Sequence, residues 1–279
     1  MATKKAASTN KKTLRGKTTT LAKKSTTVTT VKSAPAHAST SVGEHISSSL
    51  RSVELWRELA AEVIGTLLLA AVIVAGSGQP IFVLFGAVGI VLAIGAISGA
   101  HINPAVTVAA WVTRRIGWLR AVGYILAQML GAALAYVILS SFIAGAEQPS
   151  AEAAMYSSAP ALFSAAAYES YVGKEWYVFF AELVGTGIIG FAVATAWRMT
   201  RERLAGAVTV GAGIFTALMV GISAAGYVGA SAALNPAVAI ALKAYDWSSL
   251  WPLAIYAAAP IVGAIIGFVL HDVISPKTK

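Results

Sequence analysis

The chain has no cysteine, which excludes disulfides, thiolate metal sites and thiol chemistry. Charge is almost as scarce: Asp, Glu, Lys and Arg make up 12% of 279 residues, against 57% hydrophobic residues. An ordinary soluble domain carries about 25% charge, twice what this chain has for a water-facing surface. From Val63 to Thr113, 51 consecutive residues carry no charge. A helix crosses the hydrocarbon core in about 20 residues, so this run must cross, turn and re-enter. A soluble enzyme is excluded by that arithmetic. The chain reads as a polytopic membrane protein with no enzymatic activity expected.

Acid is absent from the first 43 residues, where nine Lys and Arg stand between Lys4 and Lys32. This Thr-, Ser-, Ala- and Lys-rich stretch has almost no large apolar side chains, and it lacks the apolar segment of a secretory signal. It cannot bury a core. Residues 1–50 are therefore expected to form a disordered basic tail, solvated or drawn to anionic lipid headgroups. The net charge of +9 would suit a nucleic-acid binder, but its distribution does not, and no nucleic-acid partner is expected.

Apolar segments follow in succession: about 59–76, 81–98 and 121–143, then, after a more polar stretch, 176–196, 204–227 and 250–274. Two apolar pieces of half-span length remain, near 103–112 and 235–245. The runs are continuous rather than alternating, which argues against a β-barrel. Loop charges set the orientation. With a cytoplasmic N-terminus, nineteen Lys and Arg fall inside and only Lys174 and Lys243 outside; without the tail the split is ten to two. The positive-inside rule thus predicts both termini in the cytoplasm, with the plasma membrane the expected location. All seven Trp stand at segment ends, where interfacial anchoring puts them.

The chain also repeats itself. Ala61-Glu62-Val63-Ile64-Gly65-Thr66 recurs 120 residues later as Ala181-Glu182-Leu183-Val184-Gly185-Thr186, and Asn103-Pro104-Ala105-Val106 recurs 132 residues later as Asn235-Pro236-Ala237-Val238. Each half holds three spans, an odd number, so the second half must sit upside down relative to the first. This predicts a first repeat over 51–143, a connection over 144–175 and an inverted repeat over 176–279. Within each half, Asn-Pro reads as a helix start, since Asn caps well and proline's missing N–H would be unpaired there anyway. Both starts lie deep in apolar sequence, where open backbone is costly unless it lines a wet cavity. Inversion brings the two N-termini together at midplane, each with about half a positive charge. Such a pair opposes protons and other cations, while the Asn amides donate to a neutral oxygen. The expected fold is an all-α membrane protein of six transmembrane helices and two re-entrant half-helices.

Ser98-Gly99-Ala100-His101-Ile102-Asn103-Pro104-Ala105-Val106, the second Asn-Pro-Ala, the paired Ala-Glu-x-x-Gly-Thr openings and Tyr124-Ile125-Leu126-Ala127-Gln128 together resemble the aquaporin, or major intrinsic protein, family. The resemblance covers about residues 55–274. It implies a channel with one pore per subunit, a homotetramer in the lipid bilayer, and water and small neutral solutes as what it carries, with no cofactor. It also implies that Glu62 and Glu182 hold the re-entrant loops, where His101 packs. No second His or acid has ligand spacing from His101, so no metal site is expected. The spacings Gly95/Gly99 and Gly263/Gly267 predict close helix packing.

The resemblance has one gap. Water-selective relatives ring the outer mouth with an aromatic, a His, a small residue and an Arg directly after the second Asn-Pro-Ala. A gapless count puts Val83, Ser223, Ala232 and Val238 at these selectivity-filter positions, leaving neither aromatic nor Arg. The Asp that follows this Arg in glycerol-conducting relatives is replaced by Ala239. The filter is therefore expected to be wide and weakly polar, passing glycerol- or urea-sized solutes as well as water; the alternative is that Tyr256, or a residue from the 144–175 loop, folds into the gap. Two rivals remain at this stage. A coupled secondary transporter needs titratable groups at midplane, where only Glu62 and Glu182 are available; a structural or adhesive membrane protein would have an occluded pore.

Overall fold

The computed structural model describes residues 42–147, 149–150 and 159–276. Most of the expected tail, residues 1–41, and the final lysines lie outside them. Among the described residues every regular element is helical. A short helix α1 (Val42–Leu50) leads into α2 (Val53–Ala75), α3 (Pro80–Ser98), the half-helix α4 (Pro104–Val112) and α5 (Trp118–Ala144). After a 3-10 turn at Tyr168–Tyr171 come α6 (Glu175–Ala196), α7 (Arg203–Gly226), the half-helix α8 (Pro236–Ala241) and α9 (Trp251–Ile274). Helix α9 contains one π-helical turn, Ala254–Ala258.

Six of these helices, α2, α3, α5, α6, α7 and α9, are long and apolar enough to cross a bilayer. Their outward faces carry side chains such as Phe85, Leu126 and Phe142, each more than 60% exposed. Water would not tolerate that surface over so many helices; hydrocarbon covers it at no cost. The protein is an integral membrane protein.

Packing repeats between the halves. Helix α2 packs on α3 and α5, and α6 packs on α7 and α9, while α3 meets α7 between the halves. The half-helices cross over, α4 resting on α9 and α8 on α5. Small residues allow the closest approaches. A Cβ at Gly263 or Gly267 would collide with the backbone carbonyls of Leu183 and Gly187 on α6, and one at Gly131 with that of Val63 on α2. Gly95 and Gly99 behave differently from their spacing. A Cβ at Gly95 would meet only Val91 of its own helix, and Gly99 ends α3 at φ +85°, a left-handed cap that glycine adopts without strain.

Two boundaries depart from expectation. Residues 42–50, assigned to the disordered tail, form α1, and Trp56 Nε1 donates to the Leu50 carbonyl at 2.9 Å across the bend. Composition averaged over the tail hides this segment, in which Ile46 and Leu50 stand one turn apart. The second half-helix stops at Ala241 rather than near residue 245, because Lys243 turns left-handed at φ +54°. Arg114, at φ +62°, follows the end of α4 in the same way.

Candidate functional site

Residues three apart on a helix share a face, so Glu62 and Gly65 of α2 point the same way, as do Glu182 and Gly185 of α6. Glu62 accepts four hydrogen bonds. Ser98 Oγ (2.6 Å) and the His101 N–H (2.9 Å) reach Oε1, and the Ile102 N–H (2.7 Å) and Gln128 Nε2 (2.7 Å) reach Oε2. Glu182 accepts from the backbone N–H groups of Ala233 (2.5 Å) and Leu234 (2.9 Å). Both carboxylates thus hold the loops that precede the half-helices.

Those loops contain strained residues. Ile102 and Leu234 stand at φ +41° and +53°, a left-handed conformation costing bulky residues about 1–3 kcal/mol each, which persists only where the surroundings over-determine it. Here they do. Each N–H is held by the glutamate of its own half, and each carbonyl by the asparagine of the other: Asn103 Nδ2 donates to Leu234 O and Asn235 Nδ2 to Ile102 O, both at 2.9 Å. Their side chains fill the space left by the glycines. A Cβ on Gly65 would stand 2.7 Å from Ile102 Cγ2, and one on Gly185 2.9 Å from Leu234 Cδ1. The duplicated Ala-Glu-x-x-Gly-Thr motif is therefore one device used twice, Glu for the loop's backbone and Gly for its side chain.

The half-helices start as the asparagines dictate. Asn103 Oδ1 accepts from the Ala105 N–H at 2.8 Å, and Asn235 Oδ1 from the N–H groups of Ala237 at 3.0 Å and Val238 at 3.4 Å. Pro104 and Pro236 begin the helices, and Ala105 and Ala237 are wholly buried. An amide nitrogen has two hydrogens; one of each pair spans the midline, leaving the second to donate elsewhere.

Three cavities string together past this junction. One, of about 440 Å³, is bordered by Arg115, Trp197, Arg203, Val210 and His101. A narrow one of about 30 Å³ contains Asn103 and Asn235 on its wall and shares His101 and Val210 with the first. The third, about 400 Å³, shares Ile73, Leu218 and Ala233 with the narrow one. Helix α3 begins on the third cavity, at Pro80, and ends on the first, at Ser98, so its 19 residues separate them by nearly a membrane's thickness, at about 1.5 Å per residue. The central cavity is by far the smallest of the three, yet at about 30 Å³ still large enough to hold water, which needs about 10–15 Å³. His101 is more than loop packing: its Nδ1 lies 3.2 Å from Thr107 Oγ1, its ring sits between Tyr124 and Trp197, and it lines two of the cavities.

Of the four expected filter residues, Val83, Ser223 and Ala232 line the third cavity. Val238 is not among the residues that border it, and lies, like Val83, in the packed core. Nearby, the buried Tyr256 donates its hydroxyl to the Ser231 carbonyl at 3.0 Å, and the Tyr245 hydroxyl is shared between the carbonyls of Pro236 (3.0 Å) and Tyr256 (3.2 Å). Sequence reasoning left two other participants unassigned. Phe163, on the connection, lines the third cavity. Glu58, buried near the start of α2, pairs with Arg120 at 2.9 Å.

The sequence model of the major intrinsic protein family matches residues 49–271. The chain belongs to the major intrinsic protein family. Among curated members it is similar to Probable aquaporin NIP7-1 of Arabidopsis thaliana, 34% identical over 192 residues, 68% of this chain and 62% of that protein. It is also similar to Aquaporin NIP1-1 of Zea mays, 32% identical over 194 residues, 68% of this chain and 60% of that one. The matched stretch thus spans about three fifths of the length of these two relatives. Among solved structures, the X-ray structure of the aquaglyceroporin from Plasmodium falciparum aligns with a TM-score of 0.57 at 22% identity, covering 79% of this chain and 96% of that one. At that identity the likeness is one of fold, and the fold is the major intrinsic protein's six spans and two half-helices.

Proposed function

We propose that this protein is a passive membrane channel for water and small neutral solutes of glycerol or urea size. The observation that carries the reading is the single line of three cavities passing the paired ends of α4 and α8, where Asn103 and Asn235 each keep one amide hydrogen for a passing oxygen. The two half-helix N-termini aimed at that point disfavour cations. Coupled transport finds less support, because Glu62 and Glu182 are occupied in holding loops rather than facing a solute. The wall of the third cavity, with Val83, Ser223 and Ala232 and no charged side chain among its described residues, supports a weakly polar outer filter. The homotetramer, the plasma-membrane location and the cytoplasmic termini belong to the same proposal. So do the expected segments: a basic tail that gives way to α1 at residue 42, repeats over 51–143 and 176–279, and a connection over 144–175. The paired Glu and Asn contacts support the repeats, and the nineteen-to-two charge split supports the orientation.

The test is shrinkage of proteoliposomes in hypertonic sucrose. Water permeability should exceed that of empty vesicles and be indifferent to a protonophore. A rate equal to the empty control would leave only a structural role, and one that depends on a proton gradient would point to coupled transport.

A further inference from the structure

Among the described residues, Phe163 is the one aromatic side chain that lines the outer cavity, and it comes from the connection between α5 and α6 rather than from a span. Its ring rests on Gly78, in the turn before α3: a Cβ there would stand 2.6 Å from Cε1 and 2.7 Å from Cζ. Gly78 is itself left-handed at φ +68°, so the residue the turn requires is also the one that admits the ring. Just beyond Phe163 the connection is tied to the second half. The Ala165 N–H donates to Leu242 O at 2.8 Å and the Ala166 N–H to Ser231 Oγ at 3.0 Å, and both acceptor residues border the same cavity. Further on, Ser170 Oγ donates to the Gly229 carbonyl at 3.0 Å. The ring is therefore fixed between the two halves of the molecule. It also lines a separate surface cavity with Tyr136, Ser140 and Lys243, and so forms a partition between that groove and the outer cavity. Around it the outer wall is small or aliphatic, as at Val83, Ser223, Ala230 and Ala232.

We propose that Phe163 sets the upper size limit for solutes entering at the outer mouth, supplying from the connection the bulk that neither Val83 nor Val238 provides. The inference rests on the channel reading. An apolar ring offers no hydrogen bond in exchange for lost hydration, so it discriminates by width alone. Small permeants pass beside it; wider polyols meet it. Water flux depends on the narrow central cavity and is insensitive to the ring.

The experiment compares wild type, Phe163→Leu and Phe163→Ala in proteoliposomes, measuring water permeability in sucrose and reswelling in glycerol, erythritol and xylitol. The ratio of erythritol or xylitol to water permeability should rise by about tenfold in Phe163→Ala, the scale on which an apolar pocket discriminates by size, and by less in Phe163→Leu. Phe163→Leu retains an apolar contact on Gly78 and carries the test if the alanine variant fails to assemble. Equal ratios in wild type and the variants, with water conduction intact, would overturn the inference, place the limit in the central cavity and leave the channel reading standing. No conduction by wild type above empty vesicles would overturn both.

Discussion

Asn103 and Asn235 each reach across the midline to the carbonyl that precedes the other: Asn103 Nδ2 donates to Leu234 O and Asn235 Nδ2 to Ile102 O, both at 2.9 Å. Each asparagine thus caps its own half-helix through Oδ1 and locks the opposite loop through Nδ2. Replacing either with Ala removes a cap worth about 1 kcal/mol and frees the opposing carbonyl. Yield and flux per channel should both fall, measured as monodisperse protein recovered and as water permeability per reconstituted chain. If Asn103→Ala and Asn235→Ala match wild type in both, the junction does not have this role.

Gly65 and Gly185 make room for the strained Ile102 and Leu234. Gly65→Val or Gly185→Val should push those side chains, and the loops with them, out of place, at an overpacking cost of about 1–3 kcal/mol. Thermal unfolding in detergent reports this directly. An unchanged midpoint for both variants would show that the loops can shift without penalty.

How much of this was legible in the sequence differs from place to place. The two duplicated motifs mark the carboxylates and the caps, because a residue that must bond a particular backbone atom leaves a fixed letter at a fixed spacing. The strain at Ile102 and Leu234 leaves no such letter; any bulky apolar residue reads alike until its φ is known. Val238 is adjacent to the motif, yet adjacency along a chain does not report depth, and the structure buries it. That the 144–175 loop could fill the gap was legible, but not that Phe163 is the residue, for a related reason. Its place on the cavity wall depends on how the connection folds back over the second half, which no local pattern encodes.

Tyr256 sits in the π-helical turn of α9 and donates to Ser231 O, on the second re-entrant loop. Tyr256→Phe deletes the hydroxyl alone. Leaving that carbonyl without its donor should cost about 1–3 kcal/mol, read as a lower unfolding midpoint in detergent. Tyr256→Leu, which also removes ring volume, should cost more. Equal stability of Tyr256→Phe and wild type would show that the carbonyl is satisfied by other means.

Mercurial compounds block pores by capping a thiol, and this chain has none. Water permeability of reconstituted protein should be unchanged by low doses of mercuric chloride. Strong inhibition that a free thiol reverses would contradict the absence of thiol chemistry.

The central claim is a passive path for water and small neutral solutes that ends in an uncharged mouth. Stopped-flow light scattering of wild-type proteoliposomes, mixed with hypertonic glycerol or urea and with no ion gradient imposed, tests it most directly. The account predicts shrinkage followed by reswelling faster than in empty vesicles, for both solutes. Rapid shrinkage with no reswelling above the control would contradict it, showing that the mouth conducts water but is closed to both solutes.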